Sequence, residues 1–251
     1  MLDLTDKTIL ITGGSRGIGA AIVRVVGGAG AHVVLHYGRQ RAAATAVAAA
    51  LGADRCHLVE GDLDQSGAGA RVWREAMGWR GRIDVLVNNA AVALEADLEN
   101  ESAWADAWQR TLRINVVAVA DLCREAILHF RTRGGGIIVN IASRAAFRGD
   151  DPNMFHYAAS KGAIVSLTKS IARGYARDGV IAYAVAPGWV LTDMARPAIV
   201  SRGMEALTRD IPIGALAPPD EVANIVAFLA SGLARHATGT TVDINGASYV
   251  R

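Results

Sequence analysis

The chain has 251 residues, of which 51% are hydrophobic, and 26 cationic against 24 anionic side chains leave a formal charge of +2. This length fits one large α/β domain, and the apolar content can fill a substantial core, which excludes an intrinsically disordered chain. Because the charge is nearly balanced and no long run of like charge occurs, we expect no nucleic-acid partner and no anionic membrane partner. No apolar stretch has the length needed to span a bilayer.

The two cysteines, Cys56 and Cys123, lie far apart in the sequence and form no CxxC pair. Neither a disulfide framework nor a metal site is therefore expected, and both residues fit a core in a reducing compartment. The first residues are acidic where an export signal would be basic, so the sequence predicts a cytoplasmic protein.

Short apolar runs alternate with longer helical patterns from one end of the chain to the other. Strands are predicted at 8–12, 32–36, 56–60, 84–88, 137–142, 180–186 and 240–245, and helices at 17–28, 40–51, 68–79, 103–131 and 157–177. Continuous, branched, apolar strands of this kind are typical of a parallel sheet that is covered on both faces. The sequence predicts α/β architecture: a single-domain, doubly wound Rossmann fold over 1–251, with about seven parallel strands flanked by helices.

One segment, at about 190–217, interrupts this alternation. It has mixed polarity and is marked by Pro197, Pro212 and Pro218. Irregular segments of this length inside a compact α/β domain are often substrate loops or lids, which is our prediction here.

A glycine-rich turn, "TGGSRGIG" at 12–19, follows the first strand and opens the first helix. Gly13, Gly17 and Gly19 allow the backbone to turn tightly and to approach a pyrophosphate, whose charge is favoured at a helix N-terminus. The spacing is GxxxGxG, and three glycines alone could also mark a simple tight turn. The position between a strand and a helix favours dinucleotide binding.

The end of the second strand, "LHYGRQR", carries no carboxylate that could accept hydrogen bonds from a ribose 2′-hydroxyl. Arg39 lies just beyond this strand and Arg16 lies inside the glycine turn. Two arginines near one ribose favour a 2′-phosphate, so NADP(H) is predicted over NAD(H). Each arginine could instead be a solvated surface charge.

Together these segments resemble the short-chain dehydrogenase/reductase family over residues 5–246. The motifs occur in the family's order: "TGGSRGIG", "GDL" at 61–63, "NNAA" at 88–91, Asn115 seven residues after Trp108, Ser143, "YAASK" at 157–161 and "PGWVLTD" at 187–193. The style is closest to 3-oxoacyl-carrier-protein reductase-like members, whose resemblance implies an oxidoreductase acting on a carbonyl or secondary alcohol, possibly a 3-oxoacyl thioester.

The resemblance also implies a set of site residues. The catalytic tetrad would be Asn115, Ser143, Tyr157 and Lys161. The cofactor would be bound by Gly13, Ser15, Arg16, Gly17, Ile18, Gly19, Arg39, Asp62, Leu63, Asn89, Ala90, Tyr157, Lys161, Pro187, Gly188, Val190 and Thr192. Asp62 and Leu63 would border the adenine, and Thr192 would lie near the nicotinamide carboxamide.

The residue types at 157 and 161 suit this chemistry. Only three of the 26 cationic side chains are lysines, and Lys161 is one of them. Tyr157 and Lys161 are four residues apart and share a helix face, where an ammonium favours the phenolate over the neutral phenol, whose ordinary pKa is about 10. Ser143 would hydrogen-bond the substrate oxygen, and Asn115 would hold a water that continues a proton relay from Lys161. Taken singly, each of these residues could also serve only packing or capping.

The sequence also gives expectations about the segment before Tyr157, the assembly and the alternative functions. The segment 144–156, with Arg144, Arg148, Phe147, Phe155 and His156, should border a small-molecule substrate or form a polar surface loop. The family's usual assembly implies a homotetramer or homodimer. Two alternatives stay open: a sugar or other alcohol dehydrogenase that uses NAD, and a non-catalytic NADP-binding sensor or assembly protein.

Overall fold

The computed structural model describes residues 2–251, which contain one seven-stranded parallel sheet. The strands are β1 (Thr8–Ile11), β2 (His32–Tyr37), β3 (Cys56–Glu60), β4 (Val85–Asn88), β5 (Gly136–Ile141), β6 (Val180–Pro187) and β7 (Thr241–Ile244). Their order in the sheet is β3-β2-β1-β4-β5-β6-β7, and every neighbouring pair is parallel. The predicted doubly wound Rossmann fold is confirmed, with strand ends within two residues of the predicted ones.

Helices cover both faces of the sheet. They are α1 (Gly17–Gly28), α2 (Arg41–Ala49), α3 (Ala68–Arg80), α4 (Glu101–Leu112), α5 (Ala118–Thr132), α6 (Ala145–Arg148), α7 (Phe155–Tyr175), α8 (Arg196–Arg202), α9 (Met204–Thr208) and α10 (Pro219–Ser231). One core lies between the sheet and α1, α2 and α10, and the other lies between the sheet and α3, α5 and α7. Since successive strand side chains point to opposite faces, Ile9 and Ile11 enter the first core and Leu10 enters the second.

The helix predicted over 103–131 is interrupted. A π-helical turn, Arg113–Val117, separates α4 from α5, and Asn115 lies inside it. Helix α4 begins at a regular N-cap, in which the Asn100 side chain accepts a hydrogen bond from the Ala103 amide at 3.1 Å. The helical pattern predicted over 103–131 thus continues through the π-turn, in which the five residues around a candidate catalytic group depart from α-helical geometry.

The segment 190–217 lies outside the sheet, and its two ends are paired with each other. Val190 and Ala217 form an isolated parallel bridge, the Leu191 amide donates to the Ala217 carbonyl, and the Ala217 amide donates to the Trp189 carbonyl, both at 3.0 Å. Between these ends lie α8 and α9, so the segment is partly helical rather than irregular. We call residues 190–217 the lid segment, after the role that the sequence predicts for them.

The strand order changes direction between β1 and β4, and the carboxyl ends of these two strands open a crevice at one edge of the sheet. Ligands of open α/β sheets bind at such a crevice. Among residues 2–251, no helix combines the length and the apolar character that crossing a membrane requires.

Candidate active site

The glycine turn has the shape of an anion cradle. Gly13 and Gly17 adopt positive φ angles of 66° and 53°, in the region that favours glycine. A Cβ atom on Gly19 would lie only 2.1 Å from the Gly13 carbonyl oxygen, so the turn closes onto the start of α1 without room for a side chain. Arg16, the N-cap residue, is exposed and makes no side-chain cap. The first amides of a twelve-residue helix thus remain available to a phosphate, and a dinucleotide pyrophosphate fits this turn.

Asn89 and Thr12 hold this turn against the end of β4. The Asn89 amide nitrogen Nδ2 donates to the Thr12 carbonyl at 2.9 Å and to the Gly13 carbonyl at 3.1 Å. The Thr12 hydroxyl accepts from the backbone amides of Asn89 and Ala90, each at 3.0 Å. Asn89 and Ala90 directly follow β4 and lie against the glycine turn, which the Asn89 side chain stabilises. Thr12 was not identified from the sequence, because a threonine at the end of a strand is an ordinary strand residue.

The predicted adenine side lies at the ends of β2 and β3. Arg39 forms an ion pair with Asp62 at 3.0 Å, and Leu63 is buried beneath the loop. A backbone hydrogen bond from Asp64, followed by the Arg39 contact, lowers the pKa of Asp62. The structure brings Arg39 and Asp62 together, so the guanidinium that was expected near a 2′-phosphate already has a carboxylate partner.

Tyr157, Lys161 and Ser143 meet where β5 ends against α7. The Lys161 ammonium lies 5.7 Å from the centre of the Tyr157 ring, as their spacing on one helix face predicts. Burial raises the pKa of Tyr157 to about 12, while hydrogen bonding with Ser143 acts in the opposite direction and the field of Asp150 adds to the rise. The sequence suggested a lowered pKa for Tyr157, whereas in this structure burial is the largest influence and raises it.

Lys161 is almost fully buried, with 3% of its surface exposed. Its Nζ donates a hydrogen bond to the Ile141 carbonyl at 2.8 Å, which anchors the side chain to the last residue of β5. Burial lowers the pKa of this amine from 10.5 to about 8. The group is thus close to half-protonated at mildly alkaline pH, which an arginine would not be.

Asn115 uses its whole side chain in structural hydrogen bonds. Its Oδ1 accepts from the Val92 amide at 2.9 Å, and its Nδ2 donates to the Val92 carbonyl at 2.9 Å and to the Ser160 hydroxyl at 3.1 Å. Ser160 in turn donates to the Tyr157 carbonyl at 2.7 Å. These bonds engage both amide hydrogens of the Asn115 side chain, and the expectation that Asn115 holds a relay water stays a prediction. Ser160, which completes the link to Tyr157, was missed because it lies among small residues of a helix.

The start of the lid segment lies above the glycine turn. A Cβ atom on Gly17 would be 3.3 Å from the Thr192 side chain, so these two predicted cofactor residues face each other. The Gly188 amide donates to the Ile244 carbonyl at 2.9 Å, and a Cβ atom on Gly188 would meet Asn245 at 2.9 Å. Thr192 thus faces the glycine turn, Pro187 and Gly188 lie at the end of β6 beside Ile244 of β7, and Val190 is buried in the core.

The segment 144–156 is contacted by both the lid segment and the chain terminus. Arg202 of α8 forms an ion pair with Asp151, and the Arg144 guanidinium donates to the Ser248 hydroxyl. Phe147 stacks against Tyr249, with ring centres 6.4 Å apart. His156 was expected to border the substrate, but it is completely buried, and its Nε2 contacts the Leu94 carbonyl at 2.8 Å.

Residues 7–201, which include the glycine turn and all four candidate catalytic residues, match the family model of the short chain dehydrogenases. The chain belongs to this family. It is an oxidoreductase of the short-chain dehydrogenase type, acting on CH–OH or carbonyl groups.

Curated relatives span nearly the same length as this chain. The 3β-hydroxysteroid dehydrogenase 1 of Eggerthella lenta is 34% identical over 97% of this chain and 94% of its own. The 3-oxoacyl-(acyl-carrier-protein) reductase FabG of Rickettsia felis is 32% identical over 98% of both chains. The 3-oxoacyl reductase-like character predicted from the motifs is confirmed by relatives of this second kind.

Solved structures of similar proteins superpose over almost the whole chain. A 3-oxoacyl (acyl-carrier-protein) reductase from Agrobacterium tumefaciens C58, with NADP bound, is 32% identical and has a TM-score of 0.89 over 98% of this chain and 95% of its own. A 3-ketoacyl-(acyl-carrier-protein) reductase from Brucella melitensis, complexed with NADH, is 30% identical and has a TM-score of 0.88 over all of both chains. Both kinds of nicotinamide cofactor thus occur among structures of this shape.

Proposed function

We propose that this chain is an NADP(H)-dependent reductase that interconverts a ketone and a secondary alcohol, with Tyr157 as the proton-transferring group. The observation that carries the proposal is the placement of Tyr157, Lys161 and Ser143 at the crevice that the glycine turn opens. When bound there, the nicotinamide would supply a hydride to the carbonyl carbon or accept one from the alcohol.

Tyr157 acts as an acid in the reductive direction. With a pKa of about 12, its hydroxyl is protonated at neutral pH and can donate its proton to the substrate oxygen. The Ser143 hydroxyl donates a hydrogen bond to the same oxygen as negative charge develops on it. The phenolate that remains is stabilised by the Lys161 ammonium, which is strongest as a partner below its own pKa of about 8.

Asn115 acts as a positioning residue in this proposal. Through Ser160 it holds the backbone of Tyr157, and through Val92 it holds the segment that follows β4. The π-helical turn supports this role, since π-turns often occur where a functional side chain must leave the regular helical path.

A preference for NADP(H) rests on the ends of β1 and β2. Arg16 is exposed at the start of α1, and Arg39 lies beside Asp62 at the mouth of the same crevice. The Tyr37 hydroxyl, at the end of β2, donates a hydrogen bond to the Glu60 carboxylate at 2.8 Å, so this carboxylate is already engaged. A 2′-phosphate would compete with the Asp62 carboxylate for Arg39. The guanidinium favours the phosphate, because a phosphate carries more negative charge than a carboxylate. The Agrobacterium relative holds NADP and the Brucella relative holds NADH, so the proposed preference rests on the two arginines.

The substrate that the site suits best is a ketone with an apolar body, of which a 3-oxoacyl thioester is one example. Leu191 and Met194 of the lid segment, and Phe155 at the start of α7, leave large apolar surfaces exposed around the crevice. The Rickettsia relative is named for a 3-oxoacyl substrate, and the Eggerthella relative for a hydroxysteroid, which also has an apolar body.

The exposed apolar residues on α5 and around it support a homo-oligomer. Leu112, Val117 and Leu128 are exposed along the α4–α5 helical unit, and Phe228, Leu233 and Val250 are exposed on α10 and towards the chain terminus. Two such surfaces on one chain suit a homotetramer or homodimer. Light scattering of the purified protein would test this, and a monomer at micromolar concentration would contradict it.

The first test is the oxidation of NADPH and NADH, in parallel, with 3-oxoacyl thioesters, hydrophobic cyclic ketones and keto-sugars. We expect turnover with NADPH and apolar ketones. Equal rates with NADH would contradict the role of Arg16 and Arg39, and preference for keto-sugars would contradict the substrate class.

Tyr157→Phe tests the mechanism separately. The variant should bind the cofactor with unchanged affinity and lose turnover by at least about 100-fold, the lower range for a general acid. Tyr175→Phe, at the other end of α7, is the matched control and should keep full activity. If Tyr157→Phe behaves like the wild type, the proposed proton donor is wrong.

A further inference from the structure

His36 connects the two loops that form the nucleotide end of the crevice. It lies on β2, between β1 and β3, and only 2% of its surface is exposed. Its Nδ1 accepts a hydrogen bond from the Gly13 amide at 3.2 Å, and its Nε2 lies 2.9 Å from the Gly61 carbonyl oxygen. Its own carbonyl accepts from the Gly14 amide at 2.9 Å. One residue thus contacts the glycine turn twice and the end of β3 once.

These partners determine the protonation state of the ring. The Gly61 carbonyl can only accept a hydrogen bond and the Gly13 amide can only donate one, so the ring is neutral with its proton on Nε2. Burial lowers the pKa of His36, which keeps the ring in this state. Since the ring satisfies one group on each side, its two hydrogen bonds fix the distance between the turn after β1 and the loop after β3.

The His36 ring can approach residue 61 because Gly61 has no side chain. A Cβ atom at this position would lie 2.6 Å from Val72 and 3.4 Å from the His36 Nε2. A side chain here would therefore push against α3 and against the imidazole itself. The absence of a side chain at 61 lets the backbone carbonyl approach the ring, directly before Asp62 and Leu63.

We propose that His36 is a positioning residue for the nucleotide, which holds the pyrophosphate turn and the adenine-bordering loop in the binding arrangement before the cofactor arrives. This inference rests on the proposed nucleotide site. Because the two loops are already ordered, cofactor binding does not bear the entropic cost of ordering them. Preorganisation of this kind increases the affinity for the cofactor.

The test measures cofactor binding without substrate, by titrating the fluorescence of NADPH. His36→Leu removes both ring bonds, and we expect the Kd for NADPH to rise about tenfold, as the loss of about 1.4 kcal/mol would produce. Two further variants separate the bonds, because an Asn oxygen can take the place of Nδ1 and a Gln amide nitrogen can take the place of Nε2. His36→Asn should therefore retain the Gly13 contact, and His36→Gln should retain the Gly61 contact.

A second ligand distinguishes the two loops. Adenosine 2′,5′-bisphosphate carries the adenine and the 2′-phosphate and lacks the pyrophosphate bridge. We expect His36→Asn to weaken its binding through the loop after β3, and His36→Gln to weaken NADPH more than the bisphosphate. His57→Leu is the matched control, since its ring stacks on Trp79, outside the candidate cofactor site, with centres 5.4 Å apart; it should leave both affinities unchanged.

The outcomes separate this inference from the proposed function. A wild-type protein that binds neither NADPH nor NADH would remove the nucleotide site altogether. If the wild type binds and His36→Leu binds within about twofold of it, the positioning role is wrong while the proposed function stands. Should His36→Leu fail to fold, wild-type affinities in both His36→Asn and His36→Gln would overturn the inference in the same way.

Discussion

The burial of Lys161 in the candidate active site lowers the free energy of unfolding of the protein. The fall of its pKa from 10.5 to about 8 corresponds, at about 1.4 kcal/mol for each pH unit, to about 3 kcal/mol lost at neutral pH. Its hydrogen bond to Ile141 offsets part of this loss. Among the described residues, no carboxylate is bound to the buried Lys161 ammonium. A protein core avoids an unpaired charge of this kind, whereas a catalytic site requires it.

Lys161→Met should therefore stabilise the cofactor-free protein by about 2 kcal/mol at pH 7 while abolishing turnover. The sign follows from the lowered pKa: the unfolded chain holds the proton more tightly, so the penalty is complete below pH 8 and fades as the pH rises towards 10.5. The advantage of the variant should shrink over the same range. Urea unfolding at pH 7 and pH 10 measures it.

Lys169→Met provides the control for this prediction. Lys169 is exposed on the same helix, so its replacement should change stability by less than about 0.5 kcal/mol and leave turnover intact. A Lys161→Met variant that is less stable than the wild type at pH 7 would show that the Ile141 hydrogen bond outweighs the burial of the charge.

At the scale of elements, the glycine turn and α1 are built around missing side chains. Gly19 and Gly28 lie on the same helix in opposite environments. A Cβ atom on Gly19 would lie 2.1 Å from the Gly13 carbonyl and 2.6 Å from Asn89, whereas one on Gly28 would meet no atom within 4 Å. The two positions form a natural pair of variants.

Gly19→Ala should destabilise the protein by about 2 kcal/mol or more and weaken cofactor binding, because the turn must open to admit the methyl group. Gly28→Ala should stabilise it by about 0.5–1 kcal/mol, since alanine loses less backbone entropy in a helix. Thermal unfolding together with NADPH titration measures both effects. Equal stabilities for the two variants would mean that the turn is looser than this packing indicates.

The elements also show where prediction from sequence succeeds and fails. The strands and α1 are predictable because β-branched runs and the glycine turn are local signals. The π-helical turn is not, since Arg113–Val117 follows an ordinary helical pattern and only the contacts of Asn115 with Val92 and Ser160 distinguish it. Likewise Tyr157 and Lys161 share a face because of their spacing, while the roles of Thr12, His36 and Ser160 depend on neighbours 3 to 78 positions away.

At the scale of the whole molecule, the lid segment is joined to the catalytic side by a surface ion pair. Arg202 of α8 contacts Asp151, which lies between Ser143 and Tyr157 in the sequence. Both side chains are nearly half exposed, so the pair adds little to stability. Its location suggests that it sets how closely the lid approaches a substrate.

Arg202→Ala should raise the KM for the ketone by up to about fivefold, the equivalent of about 1 kcal/mol, and leave NADPH affinity unchanged. Arg131→Ala is the matched control: it breaks a pair of similar exposure, with Asp178 at 2.8 Å, which lies outside the candidate crevice. Steady-state kinetics of both variants decide the matter. The same KM in Arg202→Ala and Arg131→Ala would show that the ion pair has no part in substrate binding.

The order of the strands has a consequence for the synthesis of the chain on the ribosome. From β5 onwards each new strand joins the sheet beside the one made just before it, and β7 is the last to be added. The glycine turn, its partner Asn89 and the catalytic helix can thus assemble while the chain is still being translated. Gly188 and Arg144 must wait for Ile244 and Ser248, which are synthesised after the other six strands. A polypeptide released before β7 would contain the residues of the nucleotide cradle but lack the contacts that anchor the substrate side.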